Sequence, residues 1–148
     1  MITVKRLLER KGNGSTVWSI GPEASVFKAL ELMAIKNIGA LLVRMDDELV
    51  GIFSERDYAR KLILKGKSSK DTLISELMTK NVITVNPNTT MRDCMVIMSK
   101  KHIRHLPVKH ENQVVGIITI RDVVTEIISD QQQTIQELER YISGGYVG

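Results

Sequence analysis

Two seven-residue segments hold most of the side chains able to do chemistry: Gly51-Ile52-Phe53-Ser54-Glu55-Arg56-Asp57 and Gly116-Ile117-Ile118-Thr119-Ile120-Arg121-Asp122. The residue types suit a nucleotide. Glycine admits close backbone approach, and a hydroxyl with helix N–H groups beyond it can hold a phosphate. Arg56 and Arg121 supply planar forks of fixed charge, and Asp57 and Asp122 can accept from a ribose diol. A plainer role fits the same residues. Ser54 and Thr119 are natural N-caps, and an aspartate three residues on completes a capping box that only starts a helix. Duplication does not separate the two roles, because a duplicated fold duplicates its caps.

The elements that position these segments are duplicated too. Val17–Asp57 aligns without a gap on Val82–Asp122, at an offset of 65 residues, with 12 identities in 41 positions; ungapped self-similarity of this kind marks an internal repeat. Each copy begins with a β-rich run (17–20; 82–85) that stops at a proline two residues on. Ser25 or Thr90 then caps a helix with Val26, Ala29, Leu30 and Met33, or Met91, Cys94, Met95 and Met98, on one apolar stripe. A strand, a polar turn and a second strand follow over 40–44, 45–48 and 49–53, and again over 106–109, 110–113 and 114–118. A closing helix starts near Glu55 or Ile120. The order β-α-β-β-α, twice, predicts an α/β (α+β) fold whose two repeats pack pseudo-symmetrically into one module.

The expected segmentation is a lead-in helix and loop over 1–16, repeat one with its connector over 17–70, repeat two over 71–130, and a C-terminal helix and tail over 131–148. Val4–Leu8 and Ile74–Met78 read as short lead-in helices, Gly12-Asn13-Gly14-Ser15 as a loop, and Lys65–Asp71 as the connector with Gly66 as a helix stop. Val124, Ile127, Ile128, Ile135, Leu138 and Ile142 form an incomplete helical stripe that calls for cover from the module or a partner chain.

Composition narrows the function classes. The chain has 148 residues, 43% hydrophobic and 26% charged, with a net charge of +4, as for an ordinary soluble domain. Basic charge is not concentrated as in most nucleic-acid binders, while anionic small ligands remain suitable. Charges interrupt every apolar run well short of the roughly 20 residues needed to span a bilayer. The single cysteine, Cys94, and the lack of a secretory pattern over 1–16 predict a reducing, cytoplasmic location, in which the sequons at Asn13 and Asn88 are chance matches. A basic targeting peptide is the competing reading of Lys5, Arg6, Arg10 and Lys11, weakened by Glu9 and scarce serine.

With these motifs in place, the sequence resembles a tandem pair of cystathionine-β-synthase (CBS) domains, a Bateman module, over about Leu7–Ile128. The carriers are the two Gly-x-x-Ser/Thr-x-Arg-Asp segments, Glu76-Leu77-Met78-Thr79 before a strand, and Ile103-Arg104-His105-Leu106-Pro107-Val108 before a hairpin. Phe53–Lys61 followed by Gly66-Lys67-Ser68-Ser69-Lys70 looks like stand-alone CBS-pair proteins. The resemblance implies a ligand-sensing module and not an enzyme, with AMP, ADP, ATP, NAD(H) or S-adenosylmethionine held in clefts between repeats and two modules joined as a homodimer. Carried onto this chain, it assigns ribose hydroxyls to Asp57 and Asp122, and phosphate to Ser54, Thr119, Arg56 and Arg121. Arg104 and His105 match phosphate-contacting positions. Thr79 would join the Asp57 site, and Lys11 that of Asp122. Repeat one departs from the pattern, carrying Gly39-Ala40 where repeat two has Arg104-His105.

Other candidates have plainer readings. His102 and His105 lack the cluster of further ligands a metal site needs, so no metal is predicted. Cys94 sits on an apolar stripe without an activating neighbour. Arg56, Arg60, Lys61, Lys65, Lys67 and Lys70 read as a solvated face, although a nucleic-acid-binding accessory protein is the alternative they support. No phosphate-binding Gly-x4-Gly-Lys-Ser/Thr, Gly-x-Gly-x-x-Gly or His-Glu-x-x-His pattern is present.

Overall fold

The computed structural model describes residues 2–12 and 17–145. The elements, in chain order, are α1 (Val4–Lys11), β1 (Ser19–Ile20), α2 (Val26–Lys36), β2 (Ala40–Met45), β3 (Glu48–Ser54), α3 (Glu55–Asp57), α4 (Ile74–Leu77), α5 (Met91–Lys101), β4 (His105–His110), β5 (Gln113–Thr119) and α6 (Ile120–Arg140). Helix α3 runs on as a wide π-helical segment over Tyr58–Ile63, and α6 ends in another over Tyr141–Gly145. Of the loop expected at 12–15, only Gly12 is among the described residues, so Asn13 lies outside them.

Contacts group the chain into two units, Thr16–Ile83 and Met1–Ser15 with Thr84–Gly148. The lead segments are therefore exchanged relative to chain order, and backbone hydrogen bonds show why. In the first unit, Ile74 N–H donates to Ala24 O and Ser75 N–H to Pro22 O, both at 2.9 Å. In the other, Val4 N–H donates to Thr89 O at 2.8 Å and Lys5 N–H to Pro87 O at 2.9 Å. Each lead helix thus satisfies its otherwise orphaned N-terminal donors on the turn before α2 or α5.

Within Thr16–Ile83, β1 runs parallel to β2, and β2 antiparallel to β3. Helix α2 begins where the Ser25 hydroxyl accepts the Lys28 N–H, and it ends at Asn37 in the left-handed region (φ 54°). Its inward face, Val26, Ala29 and Met33, meets Leu41, Val43, Phe53, Leu62, Ile74 and Leu77 in one buried cluster. In the other unit the positions 65 residues later, Met91, Cys94, Met98, Leu106, Val108 and Ile118, are buried in turn, together with Val4, Leu7 and Val123. Larger residues at 91 and 94 accompany a smaller one at 118, so volume is redistributed with the pattern kept.

The repeats differ at their first strand. The run expected at 82–85 is reduced to a single parallel bridge, Val85 to Val108. In repeat one the Leu42 N–H donates to Trp18 O at 3.1 Å; the position equivalent to Leu42 is Pro107, which has no N–H to give. Both hairpins close through two-residue turns with positive φ, at Asp46-Asp47 (51°, 65°) and Glu111-Asn112 (52°, 64°).

Candidate functional site

Asp57 and Asp122 are held by the same local device. Ser54 Oγ accepts the Asp57 N–H at 3.3 Å, and Asp57 Oδ2 accepts the Ser54 N–H at 2.9 Å. Thr119 Oγ1 accepts the Asp122 N–H at 3.1 Å, while Asp122 Oδ2 accepts the Thr119 N–H at 2.9 Å. Both segments are thus complete capping boxes. The next N–H groups are engaged as well, Glu55 to Gly39 O at 3.1 Å and Ile120 to Arg104 O at 2.9 Å. The N–H groups of Glu55 and Asp57, and of Ile120 and Asp122, are thus taken up within the chain.

The two motif glycines also serve the chain itself. A Cβ on Gly51 would stand 2.6 Å from Met78 Sδ and 3.1 Å from Thr79 O, and one on Gly116 would stand 2.8 Å from Leu8 Cδ2. The close approach is made by Met78 and Thr79, just beyond α4, and by Leu8 within α1. Thr79 pairs with Ile52 through two backbone bonds, N–H to O at 2.9 Å and the reverse at 3.0 Å. That brings Thr79, itself exposed, into the unit of Ser54, Arg56 and Asp57.

Each carboxylate has a lysine, but from a different source. Lys61, one turn beyond Asp57, lies 2.9 Å from Asp57 Oδ1 and donates to Leu77 O, also at 2.9 Å. The residue 65 positions on is Glu126, which instead pairs with Arg10 at 2.7 Å. Asp122 takes its cation from α1: Lys11 Nζ is 2.9 Å from Asp122 Oδ2 and donates to Ile117 O at 3.3 Å. Ile117 is the equivalent of Ile52, so the Lys11 ammonium stands in for both the Thr79 N–H and the Lys61 ammonium. Burial pushes the Asp122 carboxyl up, but hydrogen bonds from Lys11 and Thr119 and the Lys11 charge outweigh it and hold Asp122 below the usual aspartate value.

β4 opens with His105, paired in register with Thr119. Burial first, and then the Arg104 charge, lower the His105 pKa from its ordinary 6.5, with Asp122 opposing. Arg104 is exposed, as is Arg121, and Arg56 is half-buried. The structure therefore brings Lys11, His105, Thr119 and Asp122 together in one unit, beside Arg104. In the other unit, Gly39 borders a pocket of about 340 Å³ lined by Leu30, Met33, Ala34, Asn37, Ile38 and Glu55. Arg104 holds the position equivalent to Gly39.

Lys61 is the functional neighbour that motif reading places elsewhere, in the basic series; its i+4 spacing from Asp57 is the signal that identifies it. Lys70 is likewise engaged, over the Phe27 ring at 5.2 Å, so the series is no continuous open strip. Cys94 is buried, and burial, aided by Asp93, pushes its thiol up to about 11. Among the described residues no group of three or more His, Cys, Asp or Glu could hold a metal ion, and no helix is long and apolar enough to cross a membrane.

Comparison with known proteins agrees with this layout. The chain is 37% identical to the CBS domain-containing protein CBSX3, mitochondrial, of Arabidopsis thaliana, over 97% of this chain and 73% of that one. A crystal structure of a CBS domain is 48% identical, with a TM-score of 0.81, covering 86% of this chain and 98% of that one. A Burkholderia ambifaria MC40-6 protein with CBS domains, named for signal transduction, is 42% identical, with a TM-score of 0.84 over 88% and 96% of the two chains. The CBS domain model matches residues 15–64 and again 74–129. Two α+β repeats, each ending in a capped Ser/Thr-x-Arg-Asp turn, thus place this chain in the CBS-domain family as a tandem pair.

Proposed function

We propose that this protein is a non-catalytic sensor of adenosine nucleotides, AMP, ADP, ATP or NAD(H), that signals occupancy through its homodimeric assembly or its affinity for a protein partner. The observation that carries this reading is the duplicated carboxylate. Asp57 and Asp122 are each immobilised by a cap and a lysine, and an ionised carboxylate has about four acceptor positions, leaving room for ribose hydroxyls after these bonds are made. Arg56 and Arg121 follow directly in sequence, and Thr79 and Lys11 come from the lead segments. With the Glu55 and Ile120 N–H groups engaged, phosphate falls to the arginines, to the Ser54 and Thr119 hydroxyls and, in repeat two, to Arg104 and His105. A reducing compartment, the cytoplasm in our reading, suits the buried Cys94 thiol.

The test is native mass spectrometry of freshly purified protein, followed by thermal unfolding with single nucleotides. Adenosine compounds should raise the midpoint by about 5–10 °C at a hundred times Kd, from a linkage of roughly 2.7 kcal/mol. Guanosine and pyrimidine nucleotides should act weakly. No shift with any adenosine compound at millimolar concentration, and no co-purified nucleotide mass, would remove the reading.

A further inference from the structure

Helix α6 leaves its apolar stripe bare. Every described side chain from Ile128 to Ser143 is exposed, whereas Val123 and Glu126 are buried. Ile128, Ile135, Leu138 and Ile142 are 49%, 53%, 56% and 65% exposed. An isolated helix of about 12–15 residues is marginal in water even when rich in alanine. Residues 128–140 contain no alanine and include Gln131-Gln132-Gln133. Burial against another surface has to supply the stability that local propensity does not.

The spacing identifies that surface. Val124, Ile128, Gln131, Ile135, Leu138 and Ile142 follow one another at steps of 4, 3, 4, 3 and 4 residues, the alternation of d and a positions in a heptad. Isoleucine fills each a position. Valine and leucine fill two of the d positions, and Gln131 the third. β-branched residues at a with leucine at d favour two parallel strands. The flanking positions are Thr125, Gln132 and Glu139 on one side and Ile127, Thr134 and Tyr141 on the other, so a parallel pair opposes no like charges. Gln131 sets the direction: in register, it meets the same glutamine of an identical helix and the two amides can hydrogen-bond, whereas antiparallel layers set it against isoleucine.

We propose that α6 forms a parallel, in-register two-stranded coiled coil with a second copy of this chain along Val124–Leu138. The seam is about 21 Å long at 1.5 Å per residue, short enough that the pair separates on dilution. This inference does not depend on nucleotide binding.

Sedimentation of the nucleotide-free protein tests it. The wild type should dimerise at about 100 µM, and Ile135→Asp/Leu138→Asp should weaken association at least about a hundredfold. At concentrations low enough that both are monomeric, thermal unfolding of that variant should match the wild type, since both side chains are exposed in the single chain. Direction is read by glutathione oxidation of Leu138→Cys and Val124→Cys, each in a Cys94→Ala background. Each variant alone should give a disulfide dimer. A monomeric wild type, an Ile135→Asp/Leu138→Asp variant that dimerises normally, or cross-links that form only when the two cysteine variants are mixed would each overturn the proposal.

Discussion

Lys11 and Asp122, 111 positions apart, meet at 2.9 Å, while Asp57 takes its lysine from four residues away at the same distance. The local pair re-forms wherever the helix does. The remote pair exists only while α1 stays seated beside β5 and α6, so α1 helps determine the charge state at Asp122.

The consequence is measurable at Asp122. Its folded pKa is held below the ordinary aspartate value, so the stabilisation is present above the unfolded pKa of about 3.9 and is lost as pH falls through the folded value. In Lys11→Met the burial penalty remains without its main compensation. NMR titration should then find the Asp122 pKa raised, with acid unfolding beginning at higher pH than in the wild type. An unmoved pKa would show that the Lys11 contact contributes nothing in solution.

How much of this was readable in the sequence depends on the range of each interaction. The caps at Ser54 and Thr119, the helical stripes and the hairpins are set by neighbours within a few residues, and they appear within a residue or two of their expected positions. The exchange of lead segments was not readable from spacing alone, because the bonds from Ile74 and Val4 to the turns before α2 and α5 span long stretches of chain. Family resemblance supplied the pairing of Lys11 with Asp122. Loss of the 82–85 strand was latent in Pro107, whose effect is visible only once the register that sets Val85 beside Val108 is known.

Repeat two should hold phosphate more strongly than repeat one, since Arg104 and His105 replace Gly39 and Ala40. Calorimetry with AMP on Asp57→Ala and Asp122→Ala separately should show the larger loss for Asp122→Ala. Equal losses would count against the ranking.

His105 predicts how that binding varies with pH. Burial and Arg104 hold it neutral near pH 7, and a phosphate dianion beside it favours the cation. AMP affinity should therefore rise as pH falls from about 7.5 to 6. His105→Gln should flatten that profile while retaining tight binding at the higher pH. In the free protein the sign is opposite: the unfolded chain binds the proton more readily, so stability declines as pH drops through about 6.5.

The motif glycines predict an asymmetry in stability. An added methyl at 116 meets only the far end of Leu8, whose Cδ2 would lie at 2.8 Å and which can rotate aside. At 51 it meets Met78 Sδ, also movable, and the Thr79 carbonyl at 3.1 Å, which is fixed by its bond from Ile52 N–H. Gly51→Ala should therefore cost more than Gly116→Ala, within the roughly 1–3 kcal/mol typical of overpacking. Chemical denaturation measures both. Hydrogen exchange at the Ile52 amide locates the cause: protection should drop in Gly51→Ala, because the carbonyl must move. Equal stabilities, with Ile52 protection intact, would mean that the Thr79 segment yields as freely as the Leu8 side chain.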